Sequence, residues 1–292
     1  MIYAYGVTLN GPYHEKDGSP CQDAHKIVKC EPGLCIAAVA DGLGSAEYSE
    51  IAAQIAVNTA TDYCSEHITT TSEPDDIEQI IRISFEGAQD KIEAEAEENG
   101  RECDKYDTTL SLAVFLADRV YFGHSGDSGI VVLTEEGIYE KVTEQQRDED
   151  GRVFPLFFRD KWVFGSHPKS VASVFLATDG IYETLFPVYI REEPVDIYVA
   201  LARYFMDNNS LEIDNVGEEA VRERIKKFLA NIPDTQVNDD KTVVVLVNSK
   251  METKLQPPEY YLTPDWAELK RKWEETWHKR FYPHLYDEET GD

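Results

Sequence analysis

The chain has 292 residues, 42% of them hydrophobic, enough for a substantial core and too many for global disorder. Acids outnumber bases 56 to 28, and the resulting net charge of −28 repels phosphate backbones and argues against nucleic-acid binding. Cys21, Cys30, Cys35, Cys64 and Cys103 form no CxxC pair, which disfavours a zinc ribbon or a disulfide framework. The N-terminus has no basic, apolar leader and no run reaches membrane-spanning length, so a soluble cytoplasmic protein is expected, with no membrane partner.

Residues 2–9 read as a first strand. A polar stretch over 11–20, rich in turn formers, reads as a loop leading to Cys21-Gln22-Asp23-Ala24-His25 and a short strand near 26–30. The apolar run from Leu34 to Ala40 is a buried strand that ends on Asp41, with Gly42 and Gly44 turning the chain. An acid at a strand mouth beside an unobstructed carbonyl suits a hard cation. A strand that simply stops at an Asp-Gly turn accounts for the same residues.

From Ser45 the period changes to that of a helix, with Ile51, Ala52, Ile55, Ala56, Thr59, Ala60 and Tyr63 on one face. Residues 73–100 give a second helix, with Ile77, Ile81, Phe85, Ala88 and Ile92 on one face and glutamates on the other. Short apolar runs at 108–117, 120–124 and 130–134 are spaced for antiparallel hairpins, as is the run at 138–142. The stretch 144–170 reads as a loop or flap. A strand over 171–177 runs into Thr178-Asp179-Gly180, helices are expected at 195–207 and 216–230, and a last strand covers 242–247.

The division expected is a body over 1–250 and an extension over 251–292. Thr263-Pro264-Asp265 starts a helix in that extension, whose Trp266, Leu269, Trp273, Trp277 and Phe281 share a face. Lys270, Arg271, Lys272, Lys279 and Arg280 make it locally basic, so it is expected to pack on the acidic body, with docking of a partner protein as the other option.

Asp41, Asp179 and Asp239 each stand at a strand boundary, Asp23 abuts a strand, and Asp127 lies in a Gly-Asp-Ser turn. Oxygen-only ligands without a Cys or His cluster point to Mg²⁺ or Mn²⁺ rather than zinc. The series Cys-Gln-Asp-Ala, Val-Ala-Asp-Gly-Leu-Gly, Asp-Thr-Thr-Leu, Gly-His-Ser-Gly-Asp-Ser, Leu-Ala-Thr-Asp-Gly and Asp-Asp-Lys-Thr-Val-Val-Val resembles, in order and wording, the metal-dependent protein phosphatases of type 2C, and most of all their divergent bacterial branch.

The resemblance implies an α+β fold, a four-layer α-β-β-α sandwich of two antiparallel sheets flanked by helices. It implies that Asp41 bridges two Mn²⁺ or Mg²⁺ ions, that the Gly42 carbonyl holds one of them, and that Asp179 and Asp239 complete the other site. By the same resemblance Asp23 orients the attacking water and Asp127 belongs to a third, weaker ion. The activity implied is hydrolysis of phosphoserine and phosphothreonine in proteins, by water activated between two cations, with a phosphorylated protein as substrate; whether a partner kinase exists is left open by the sequence.

One departure stands out. Many members carry a phosphate-gripping Arg five residues before the first Asp, where this chain has Gly18, leaving His14 and Lys16 as the substitutes in that loop. The same gap leaves open a second function, a phosphatase-like regulatory or binding module of feeble or lost turnover. No motif sets the oligomeric state.

Overall fold

The computed structural model describes residues 1–281. In chain order the first half runs β1 (Ile2–Leu9), α1 (Pro12–Asp17), β2 (Asp23–Lys29), β3 (Leu34–Asp41), α2 (Ser49–His67), α3 (Pro74–Glu98), β4 (Leu110–Leu116) and β5 (Arg119–Ser125). It continues through β6 (Gly129–Thr134), β7 (Tyr139–Lys141), β8 (Val163–Ser166), β9 (Val171–Ala177), α4 (Asp179–Leu185), α5 (Val199–Met206), α6 (Asn208–Leu211) and α7 (Ile213–Val216). The last elements are α8 (Glu218–Ala230), β10 (Lys241–Asn248) and α9 (Trp266–Phe281).

Strands that are apolar at every position need cover on both faces, and the sheets supply it by stacking. One antiparallel sheet has the order β1-β10-β9-β6-β7 and the other β2-β3-β4-β5-β8. Along β3, Leu34, Ile36, Ala38 and Ala40 pack on α2 and α3, while Cys35, Ala37 and Val39 enter the layer between the sheets. Along β10, Val243, Val245 and Val247 join the core under α4, α5 and α8, while Val244 and Leu246 meet the other sheet. This alternation of period two makes three apolar layers, and the four-layer α-β-β-α sandwich follows from it.

Several local readings are corrected. The stretch 11–20 contains α1, which Pro12 starts with its fixed φ and Gly18 ends in the left-handed region at φ 75°; one turn and a half is too short to show a helical period. The helix expected from Ser45 begins at Ser49, and its buried face, with Ala53, Val57 and Cys64, is turned about one residue from the one the spacing suggested. The interval between β5 and β6 is not a hairpin: the chain crosses there from one sheet to the other, aided by Gly126 at φ 103°. Part of the 144–170 flap is strand, since β8 pairs with β5 while Trp162 and Phe164 meet the Phe85 ring edge-on at 5.7 and 5.2 Å.

The aromatic face of α9 rests on the body through Trp266 against Tyr198 (4.9 Å) and Trp273 against Tyr189 (5.5 Å). Its basic side chains answer acids of their own helix, Arg271 to Glu268 and Glu275 and Lys270 to Glu274. The rest of the predicted extension, 282–292, lies outside the described residues. Among the described residues no helix is long and apolar enough to cross a membrane.

Candidate metal centre

The acids collect where the layer between the sheets runs out of apolar residues. The row Cys35, Ala37, Val39 on β3 continues by alternation to Asp41, and Asp23 stands directly opposite it on β2. From the other sheet, Val174 and Leu176 on β9 continue to Thr178, while Leu246 and Val244 on β10 continue to Thr242 and Asp240. The two sheets therefore close over a polar end. The Thr178 hydroxyl joins them, donating to Asp23 Oδ2 at 2.8 Å.

Local bonds fix Asp41. Its N–H donates to Thr109 Oγ1 (2.9 Å), and its carbonyl accepts from Thr109 N–H (2.8 Å) and Thr108 Oγ1 (3.0 Å). The Thr-Thr pair is thus a positioning device, and a further Thr109–Ser128 contact of 3.1 Å ties it to the Asp127 turn. Gly42 has no alternative: a Cβ there would lie 2.6 Å from the backbone of Ser49 at the start of α2.

Asp127 lies in the crossing between β5 and β6, and Asp179 opens α4. Carboxylate oxygens of Asp41, Asp127 and Asp179 all lie within 4.8 Å of one another. Asp239, exposed just before β10, is brought alongside by the packing of Gly180, whose Cβ would fall 2.2 Å from the Asp240 carbonyl and 3.6 Å from Asp239 Cβ. The predicted acids Asp23, Asp41, Asp127, Asp179 and Asp239 are thereby brought together from two sheets and a crossing loop.

Crowded buried carboxylates hold protons more tightly than isolated ones. Burial pushes Asp41 well above the usual carboxylate range, and Asp23, Asp179, Asp127 and Asp239 add to the shift. Asp23 moves the same way through burial and then Asp240, against hydrogen bonds from Thr178 and Thr242. Asp179 is pushed up to about 7 by burial and by Asp127, Asp239 and Glu183. An all-oxygen donor set that resists its own ionisation fits a hard divalent cation, which would relieve the repulsion.

The two loop residues expected at the phosphate have other partners. His14 is buried, with Nδ1 2.9 Å from Asp240 Oδ1 in poor alignment for a hydrogen bond, and Lys16 pairs with Asp234 at 3.1 Å on the surface. The cation that does reach the acids is Arg147, from the flap. Its Nη2 lies 2.7 Å from Asp127 Oδ2, 3.3 Å from Asp179 Oδ2 and 2.8 Å from Glu183 Oε1.

A groove of about 1420 Å³ leads from Asp179, Asp239 and Arg147 past Tyr13 and Tyr198 to Trp266 and Lys270 of α9. The family model described as protein phosphatase 2C matches residues 10–230. The chain belongs to the protein phosphatase 2C family. Among solved structures, a bacterial serine phosphatase is similar at 14% identity and TM-score 0.60, over 88% of this chain and 100% of that one. The S. agalactiae serine/threonine phosphatase is similar at 17% identity and TM-score 0.60, over 85% and 99% of the two chains. The Mycobacterium tuberculosis serine/threonine phosphatase PstP/Ppp follows at 17% and TM-score 0.54, over 84% and 98%. No curated protein matches the sequence.

This phosphatase 2C chain also has site residues that sequence reasoning missed. Glu183 is four residues after Asp179, one helical turn along α4, a spacing that could have found it. Asp240 accepts from the Gly11 and Gln22 N–H groups at 2.6 Å each and so binds the first motif to β10. Continuing the alternation of β10 past Thr242 would have placed it. For Arg147 the sequence holds no comparable signal.

Proposed function

We propose that this chain hydrolyses phosphoserine and phosphothreonine in proteins with the help of two divalent cations, Mn²⁺ or Mg²⁺. The observation that carries the reading is the convergence of Asp23, Asp41, Asp179 and Asp239 at one end of the sandwich, beside an open groove. Asp41 would be shared between the ions, with the Gly42 carbonyl at one and Asp179 and Asp239 at the other. When bound, such a pair supplies hydroxide near neutral pH and offsets the charge of the phosphoryl oxygens.

The protein's own groups do the rest. Asp23, held by Thr178 and Thr242, would orient the attacking water. Thr108 and Thr109 fix the backbone of Asp41 and so the point from which its carboxylate enters the cluster. The groove between the acids and α9 admits the peptide around the phosphorylated residue, and its aromatic side chains exclude water along one wall.

The test is turnover of para-nitrophenyl phosphate and of a phosphothreonine peptide with Mn²⁺, with EDTA, and with Asp41→Asn. Mn²⁺-dependent turnover that the variant abolishes is expected. No turnover, or equal turnover by the variant, overturns the reading. Gly18 favours one rival, a phosphatase-like binding module; Mn²⁺ binding measured by calorimetry without any turnover would be its signature.

A further inference from the structure

We propose that Arg147 is a built-in cation that takes the place of a third metal ion, so that this enzyme works with two. The inference rests on the two-metal reading above and goes beyond it. Asp127, Asp179 and Glu183 present three carboxylates to one point, and the guanidinium occupies it. Nε and Nη2 both donate to Asp127 Oδ2, at 3.0 and 2.7 Å, and the same Nη2 reaches Glu183 and Asp179. A planar, permanently charged fork suits this task better than an ammonium would.

The delivery of Arg147 is as specific as its contacts. The Gln146 N–H donates to the Gly126 carbonyl at 2.8 Å, and the Gly126 N–H donates to Gln146 Oε1 at 3.0 Å. The Gln145 amide donates to the Asp127 carbonyl at 2.9 Å, and Arg147 itself bridges to Val153. The flap is therefore stitched to the very turn that carries Asp127, and the guanidinium arrives at a high effective concentration. A divalent ion entering there must break several charge-assisted bonds that the chain re-forms without diffusion. Asp41, Asp23 and Asp239 are not bonded to Arg147, and Asp179 meets it through one oxygen only, Oδ2 at 3.3 Å, so its other oxygen and the remaining acids stay available to the two proposed ions.

Counting bound Mn²⁺ by electron paramagnetic resonance or equilibrium dialysis separates the possibilities without relying on activity. The wild-type chain is expected to bind two Mn²⁺ and Arg147→Ala to bind three, with circular dichroism in EDTA checking that the variant folds. Three ions on the wild type overturn the inference, as do two ions on both proteins, because the guanidinium would then not be what excludes the third. If the variant does not fold, the wild-type count alone decides, two supporting and three refuting. Fewer than two on the wild type overturns the two-metal reading and this inference with it.

Discussion

Replacing Asp41 with Asn is expected to change stability in opposite directions with and without metal. In the apo protein Asp41 is surrounded by other carboxylates and, with burial the largest cause, its proton is held well above the ordinary range. A carboxyl whose folded pKa lies above its unfolded one destabilises the fold at higher pH, by about 1.36 kcal/mol per unit of difference. Asn carries no such cost. Asn still needs partners of its own, so a net stabilisation on the order of 1–2 kcal/mol is expected in EDTA, or a few °C in melting temperature for a chain of this size. With Mn²⁺ at about a hundred times the dissociation constant, each occupied site adds ~2.7 kcal/mol to the wild type, and two sites add roughly 10 °C. The variant, deprived of the ligand proposed to be shared, should gain little. Differential scanning calorimetry of both proteins in EDTA and in Mn²⁺ gives the four melting temperatures required. A variant that melts lower than wild type in EDTA, or that gains as much from Mn²⁺, would refute the electrostatic account of the centre.

Other expectations follow from single residues. His124 is buried, bonded at Nδ1 to Ser111 and at Nε2 to the Glu144 carbonyl, and burial pulls its pKa down to about 4. The unfolded chain takes up this proton below about pH 6.5 and the folded chain does not, so wild type should lose ~3 kcal/mol more than His124→Gln between pH 6.5 and 4; equal pH slopes in urea titrations would exclude this. Gly42→Ala forces a Cβ to 2.6 Å from Ser49 and should cost about 1–3 kcal/mol while weakening Mn²⁺ binding, readable by calorimetry and refuted by wild-type affinity. Trp266→Ala removes a groove wall and its edge-on contact with Tyr198, so KM for a phosphothreonine peptide should rise ~2–10-fold with para-nitrophenyl phosphate turnover unchanged. Equal effects on both substrates would mean that α9 acts on folding rather than on peptide binding.

The layers were legible because both faces of the strands are covered: runs such as Val243–Val247 can only be central strands between two cores. The acids were legible because they recur beside strand ends, Asp41 closing β3, Asp23 opening β2, Asp127 between β5 and β6, Asp179 after β9 and Asp239 before β10, a recurrence that a lone Asp-Gly turn does not explain. Other features had no such signature. α1 and α4 are too short for a periodicity, and the switch of sheet between β5 and β6 hides behind a spacing that also suits a hairpin. Arg147 stands among residues of mixed charge, Gln145-Gln146-Arg147-Asp148-Glu149, and only the return of the flap to Gly126 brings it to the acids. His14 shows the converse: the residue type and loop were right for a phosphate, but Tyr13 N–H bonded to the Asn238 carbonyl holds α1 close against the Asp239-Asp240 turn, and the ring goes inward to Asp240.

The proposed ligands come in two halves, Asp23 and Asp41 from one sheet and Asp179 and Asp239 from the margin of the other, with the Thr178 hydroxyl spanning the gap. Cations bound there would act as a clasp on a book whose pages are the apolar faces of the sheets. Closing the book and loading the metal become one equilibrium, so a loosened residue deep between the pages, Val39 or Leu176, would be felt as weaker metal affinity although neither touches an ion. A screen for loss of metal binding would then return two sets of positions, those at the clasp and those along the spine.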